Sequence, residues 1–148
     1  MDLNDLYRDV IVDHNKSPRN FGDLTDADHS AQGFNPLCGD ELTVYLNIKD
    51  DQITDVRFKG QGCAISIASA SLMTEKLKGL SVEDTRQLFG KVHSMLTADA
   101  PDIPVDEMGK LAALQGVRAY PSRVKCASLC WHTVIAALDK RATPVSTE

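Results

Sequence analysis

The sequence predicts an α+β fold: a small antiparallel sheet of about three strands packed against several helices. Two runs, 41–48 and 53–59, alternate apolar and polar residues with period two and are joined by Asp50-Asp51. Before and after them, apolar residues recur at three and four places, the spacing of a helix with one buried face. The chain has 148 residues, 43% of them hydrophobic, enough for one compact core without disulfide staples.

In chain order, Leu3, Leu6, Tyr7, Val10 and Ile11 lay one apolar stripe along a helix ending near His14. Residues 15–37 are rich in turn formers, including Ser17-Pro18-Arg19-Asn20 and Asn35-Pro36, and read as a long ordered loop with room for one short strand. From Glu41, Leu42, Val44, Leu46 and Ile48 face one way while Thr43, Tyr45 and Asn47 face the other. Ile53 to Lys59 supplies the antiparallel partner, with Thr54, Val56 and Phe58 on one side. After Gly60-Gln61-Gly62, the small residues from Ala64 to Ser71 allow a helix to lie close against its neighbours until Gly79 stops it. Ser81 and Asp84 resemble a capping box for a helix reaching about Leu96. TADAPDIPVD is a proline-bearing loop, 106–114 a short helix, and Pro121 opens a mostly apolar helix to about Lys140. A single domain over 1–140 is expected, with 141–148 a frayed, flexible tail.

Net charge is -5 with scattered Lys and Arg, which argues against nucleic acid as a partner. No apolar run is long enough to span a membrane, and the acidic start MDLNDLYRDV does not resemble a signal peptide, so a cytoplasmic protein is expected. In a reducing compartment, four cysteines point to metal, redox or thiol chemistry more than to disulfides.

The cysteines stand in three settings. In NPLCGDE, Cys38 and Asp40 lie two apart, so on an extended chain both side chains face one way and could converge on a cation; an ordinary turn with a buried cysteine is the alternative. In GQGCAIS, Cys63 falls at or near a helix N-terminus, where the helix dipole favours a thiolate. In YPSRVKCASLCWHT, Cys126 and Cys130 share a helix face, whereas His132 lies roughly 120° round the axis from Cys126 and reads as a packing or surface residue. His14, His29 and His93 have no ligand pattern beside them. No C-x-x-C pair occurs, so a zinc finger or ribbon is excluded, and one site from Cys38, Asp40, Cys63 and Cys126 requires the fold to gather distant segments. The hairpin makes this feasible, because Cys38 precedes one strand and Cys63 follows its partner, at the same end.

NPLCGDE, GQGCAISIASASLMTE and GVRAYPSRVKCASLCWHT, with DHNKSPRNFG near the start, resemble the signature segments of the U-type iron-sulfur assembly proteins, the IscU/SufU/NifU N-terminal family. The resemblance covers nearly the whole chain and implies a SufE/NifU-like fold. It places the family's metal ligands on Cys38, Asp40, Cys63 and Cys126. The IscU branch has a histidine directly before its third cysteine; here that residue is Lys125, and a long segment separates Cys63 from Cys126, both traits of the SufU branch.

That branch implies zinc on three thiolates and a carboxylate, a closed tetrahedral set that argues against a metallohydrolase. It further implies a sulfur acceptor working with a PLP-dependent, SufS-like cysteine desulfurase and with downstream iron-sulfur assembly proteins, rather than as a stand-alone enzyme. In that scheme a desulfurase histidine takes one coordination position and frees Cys38 to receive persulfide sulfur. Cys38 is the expected acceptor because its glycine-flanked loop can move, while Cys63 and Cys126 are tied to helices. The alternative is a scaffold on which a 2Fe-2S cluster is built on the same ligands, since thiolates suit iron as well as zinc. A purely structural zinc domain is a third reading. Arg123 is either a steering or supporting group for the persulfide or a solvated arginine. Cys130 reads as a buried, inert thiol, with a spare acceptor as the alternative.

Overall fold

The structure, a computed structural model, describes residues 3–97, 108–140 and 143–147, with side chains from residue 8 onward. Helix α1 (Leu3–Lys16) leads to strands β1 (His29–Asn35), β2 (Asp40–Lys49) and β3 (Gln52–Gln61). Helices α2 (Ala64–Leu77) and α3 (Val82–Thr97), a 3-10 helix (Gly109–Val117), α4 (Pro121–Leu138) and the short β4 (Val145–Ser146) follow. The sheet order is β3-β2-β1-β4, with β1, β2 and β3 antiparallel and β4 parallel to β1.

The alternation in β2 turns Leu42, Val44 and Leu46 into the core, where α4 packs across β1 and β2. Asp50 and Asp51 both have positive φ, 53° and 62°, as a two-residue turn matched to the strand twist requires. The facing of β3 differs from expectation at one point. Its register moves from Asn47 opposite Asp55 to Ile48 opposite Ile53, so Thr54 is an extra, bulged residue. Thr54 is exposed, its Oγ1 donating to the Asn47 carbonyl at 3.2 Å, and Ile53 is fully buried in its place beside Val56 and Phe58.

Small residues let α2 sit at the centre: nearly its whole circumference is buried, including Ala68, Ser69, Ala70 and Ser71. Three of its four buried hydroxyls, those of Ser69, Ser71 and Thr74, have partners, while Ser66 Oγ has none among the described residues. Ser69 Oγ donates to the Ala127 carbonyl at 2.6 Å and accepts from Trp131 Nε1 at 3.3 Å, fixing α2 to α4. Ser71 Oγ accepts the Arg19 N–H at 2.8 Å and lies 2.7 Å from Nδ1 of the fully buried His14, tying α1 and the following loop to α2. Of the expected α1 stripe, Val10 and Ile11 pack on the core, and the side chains of Leu3, Leu6 and Tyr7 lie outside the described residues. Gly79, with φ 92°, follows the end of α2, and Ser81 Oγ caps α3 by accepting the Asp84 N–H at 3.0 Å.

The long loop holds one strand, β1, of seven residues. Most of the proline-bearing loop and the start of the expected helix 106–114 lie outside the described residues; the helical turns that follow are 3-10 and run to Val117. The C-terminal stretch read as a frayed tail contributes a fourth strand, and Thr147 N–H donates to the Phe34 carbonyl at 3.1 Å. Two residues are too short to show a period, which is why the sequence does not reveal them. Among the described residues, no helix is long and apolar enough to cross a membrane.

Candidate metal centre

Four side chains from three separate segments meet at one end of the sheet. Cys38 lies in the turn 36–39 that joins β1 to β2, closed by the pairing of Asn35 with Asp40 and by the Cys38 N–H donating to the Asn35 carbonyl at 3.2 Å. Gly39 takes φ 70°, a left-handed conformation that costs a Cβ-bearing residue energy and brings the chain straight into β2. The turn leaves Cys38 partly exposed. Asp40, by contrast, is 2% exposed at the first position of β2.

The partner strand delivers Cys63. Glu41 pairs with Gln61, so the end of β3 lies beside the start of β2 and the chain turns there into α2. Cys63 is the N-cap of α2, its Sγ accepting the Ser66 N–H at 3.5 Å. Asp40 Oδ1 accepts the Cys63 N–H at 2.8 Å, and Cys63 Sγ lies 3.8 Å from Oδ2. A Cβ on Gly62 would stand 2.5 Å from Asp40 Oδ1, so the carboxylate occupies space that only glycine leaves open.

Cys126 is fully buried in α4, with its Sγ 3.1 Å from that of Cys38. Donor atoms of Cys38, Asp40 and Cys126 all lie within 4.8 Å of one another. Burial pushes the Cys126 thiol far above its ordinary pKa, and the neighbouring Cys38, Cys63 and Asp40 push it the same way. Four potential anions in so small a space repel one another unless protons or a cation intervene. Three thiols and a carboxylate are a donor set that fits zinc or iron, and both would favour the thiolate forms that burial opposes.

The structure therefore gathers Cys38, Asp40, Cys63 and Cys126, and leaves the other candidates outside. His132 faces α3, its ring 5.2 Å from Phe89 and 5.9 Å from His93 between centroids. Arg123 is exposed in the first turn of α4. Cys130 is fully buried, its Sγ 3.4 Å from Ser69 Oγ, and desolvation raises its pKa to about 12. One site residue was missed. Asn35 is fully buried and its Nδ2 donates to Cys126 Sγ at 3.5 Å, though in the sequence it reads only as a turn former before Pro36. Its burial beside a thiol is the product of strand pairing and has no local signature.

A family model described as the NifU-like N-terminal domain matches residues 6–127, a span that contains all four gathered side chains and ends just after Cys126. The chain belongs to the NifU-like N-terminal domain family. Among its relatives, the zinc-dependent sulfurtransferase SufU of Bacillus subtilis is 41% identical over 138 residues, covering 93% of this chain and 92% of that one. The iron-sulfur cluster assembly scaffold protein IscU of Streptococcus pyogenes is 36% identical, covering 95% and 87%. The crystal structure of the N-terminal part of a NifU-like protein from Brucella abortus superimposes with a TM-score of 0.83 at 25% identity, covering 93% of this chain and 95% of that one. This NifU-like domain thus shares its fold and almost its full length with both kinds of relative, those named for sulfur transfer and those named for scaffolding.

Proposed function

We propose that this protein serves iron-sulfur cluster assembly as a zinc-dependent sulfur acceptor for a cysteine desulfurase of the SufS type. The observation that carries the reading is the unequal placement of two thiols 3.1 Å apart, Cys38 partly exposed in a turn and Cys126 fully buried in a helix. The first can meet a second protein, while the second and Asp40 stay behind it. The 41% identity to a zinc-dependent sulfurtransferase supports the same reading.

Cys38, Asp40, Cys63 and Cys126 would hold the zinc, which supplies enough positive charge to keep neighbouring thiols deprotonated near neutral pH. The Cys38 thiolate then attacks the outer sulfur of the desulfurase persulfide. A new bond forms between Cys38 Sγ and that sulfur, the persulfide S–S bond breaks, and its electron pair leaves on the desulfurase cysteine as a thiolate. One sulfur atom moves, with no net oxidation. Asp40 orients the Cys63 backbone through its N–H, and Asn35 donates to Cys126 Sγ, so the buried ligands keep their places while Cys38 reacts.

The test is an assay of a cognate cysteine desulfurase with the zinc-loaded protein. We expect strong stimulation, a sulfur adduct on Cys38 by mass spectrometry, and loss of both in Cys38→Ala with the fold retained. A reconstituted 2Fe-2S cluster passed to an apo-ferredoxin, with no stimulation of the desulfurase, would establish the scaffold instead.

A further inference from the structure

A cavity of about 500 Å3 opens between α3, α4 and the C-terminal strand. Its composition runs against that of the chain. The protein carries 21 acidic and 16 basic residues, yet the described residues lining this cavity include Arg118, Lys125, His93 and His132 and no carboxylate. Hydroxyls of Ser128 and Thr147, both turned to the Lys125 carbonyl, stand among these side chains, and Leu96, Val124 and Val145 give it an apolar wall. Thr147 Oγ1 donates to the Lys125 carbonyl at 3.4 Å, so the C-terminal segment is fastened across one side of the cavity.

We propose that this cavity is a binding site for a small amphiphilic organic anion. The acidic head group is met by the Lys125 ammonium with the His93 and His132 imidazoles beside it, and the apolar body rests on Leu96, Val124 and Val145. The size falls within the range of small-molecule sites, about 300–1,000 Å3. The Lys125 ammonium selects a negative head group, because charge-assisted hydrogen bonds are the strong ones. A cation, or a bare inorganic anion without the apolar part, matches only half of the lining. The site is separate from Cys38, Asp40, Cys63 and Asn35, none of which lines it.

The zinc-loaded full chain would be titrated with butanesulfonate, sulfate and butylammonium, following the His93 and His132 ring signals by NMR. Butanesulfonate should shift both in a saturable way, sulfate several-fold more weakly, and butylammonium not at all. Lys125→Gln should weaken butanesulfonate about tenfold and His93→Gln by less, with zinc content and thermal midpoint retained. Lys49→Gln, at the end of β2, should change nothing. Butylammonium binding as well as butanesulfonate, no saturable shift at tens of millimolar, an unchanged affinity in Lys125→Gln, or an equal loss in Lys49→Gln would each overturn the site.

Discussion

Cys126 and Cys130 lie one turn apart on the same helix and are both fully buried, yet they belong to different regions. Cys126 looks into a gap shared with two other thiols and a carboxylate, closed on one side only by a partly exposed turn. Cys130 looks into the sealed seam between α2 and α4, where its polar neighbours are the Ser69 hydroxyl, already bonded to Trp131 and Ala127, and the Ala127 carbonyl at 3.9 Å. Burial raises the pKa of both thiols. The difference is that a cation could relieve the first and nothing faces the second that could. Reactivity here is a property of what converges on the sulfur, and not of burial or helix position.

The strongest way to break this contrast is to remove each sulfur in turn. Cys126→Ser should abolish tight zinc binding. With free zinc at about a thousandfold its Kd, the native protein would gain roughly 4 kcal/mol from the metal under the proposed function. Losing that should lower the thermal midpoint by roughly 8–16 °C, as chelation should for the native protein. Cys130→Ala should leave zinc content and desulfurase stimulation unchanged. If Cys130→Ala lost metal as Cys126→Ser does, the division between the two regions would fail.

A smaller effect tests the geometry that makes the metal end a site. Gly62→Ala forces a Cβ to within 2.5 Å of Asp40 Oδ1, so the carboxylate must leave the Cys63 N–H. A hydrogen bond to a charged group is worth about 1.5–3 kcal/mol, so zinc affinity should fall roughly tenfold or more. In the scaffold, Gly90→Ala meets nothing within 4 Å in the interior of α3 and should stabilise the protein by about 0.5–1 kcal/mol. Competition with a chelating dye and thermal melts measure the two; equal effects from both glycines would sink the assignment of Gly62.

Much of this was legible in the chain itself. Period two placed Leu42, Val44 and Leu46 inward, and the order Cys38, strand, turn, strand, Cys63 already required the two cysteines to lie at one end of a hairpin. The facing of Thr54 was misjudged because a bulge leaves the residue types unchanged while shifting the register by one. Asn35 was missed for a related reason: its contact with Cys126 spans 91 residues of chain and depends on how α4 crosses β1. Local pattern carries the elements and their ends; it does not carry which buried polar atom meets which sulfur.

The smallest effect concerns the contact of α1 with α2, away from both cysteines. His14 is buried against Ser71, and desolvation, with Arg19 acting in the same sense and Glu75 opposing, holds its pKa below the ordinary 6.5. Above pH 6.5 the imidazole is neutral in both folded and unfolded chains and contributes no slope. As pH falls from 6.5 towards the depressed native value, the unfolded chain binds a proton that the native protein refuses, so stability drops by at most about 1.4 kcal/mol per pH unit from this group. Below the native value the slope vanishes. Denaturant melts of chelated protein between pH 7.5 and about 5 should show the decline, and His14→Asn should flatten it whatever it does to stability at pH 7.5. An unchanged slope in that variant would move the acid sensitivity out of the interior and onto the four convergent donors at the metal end.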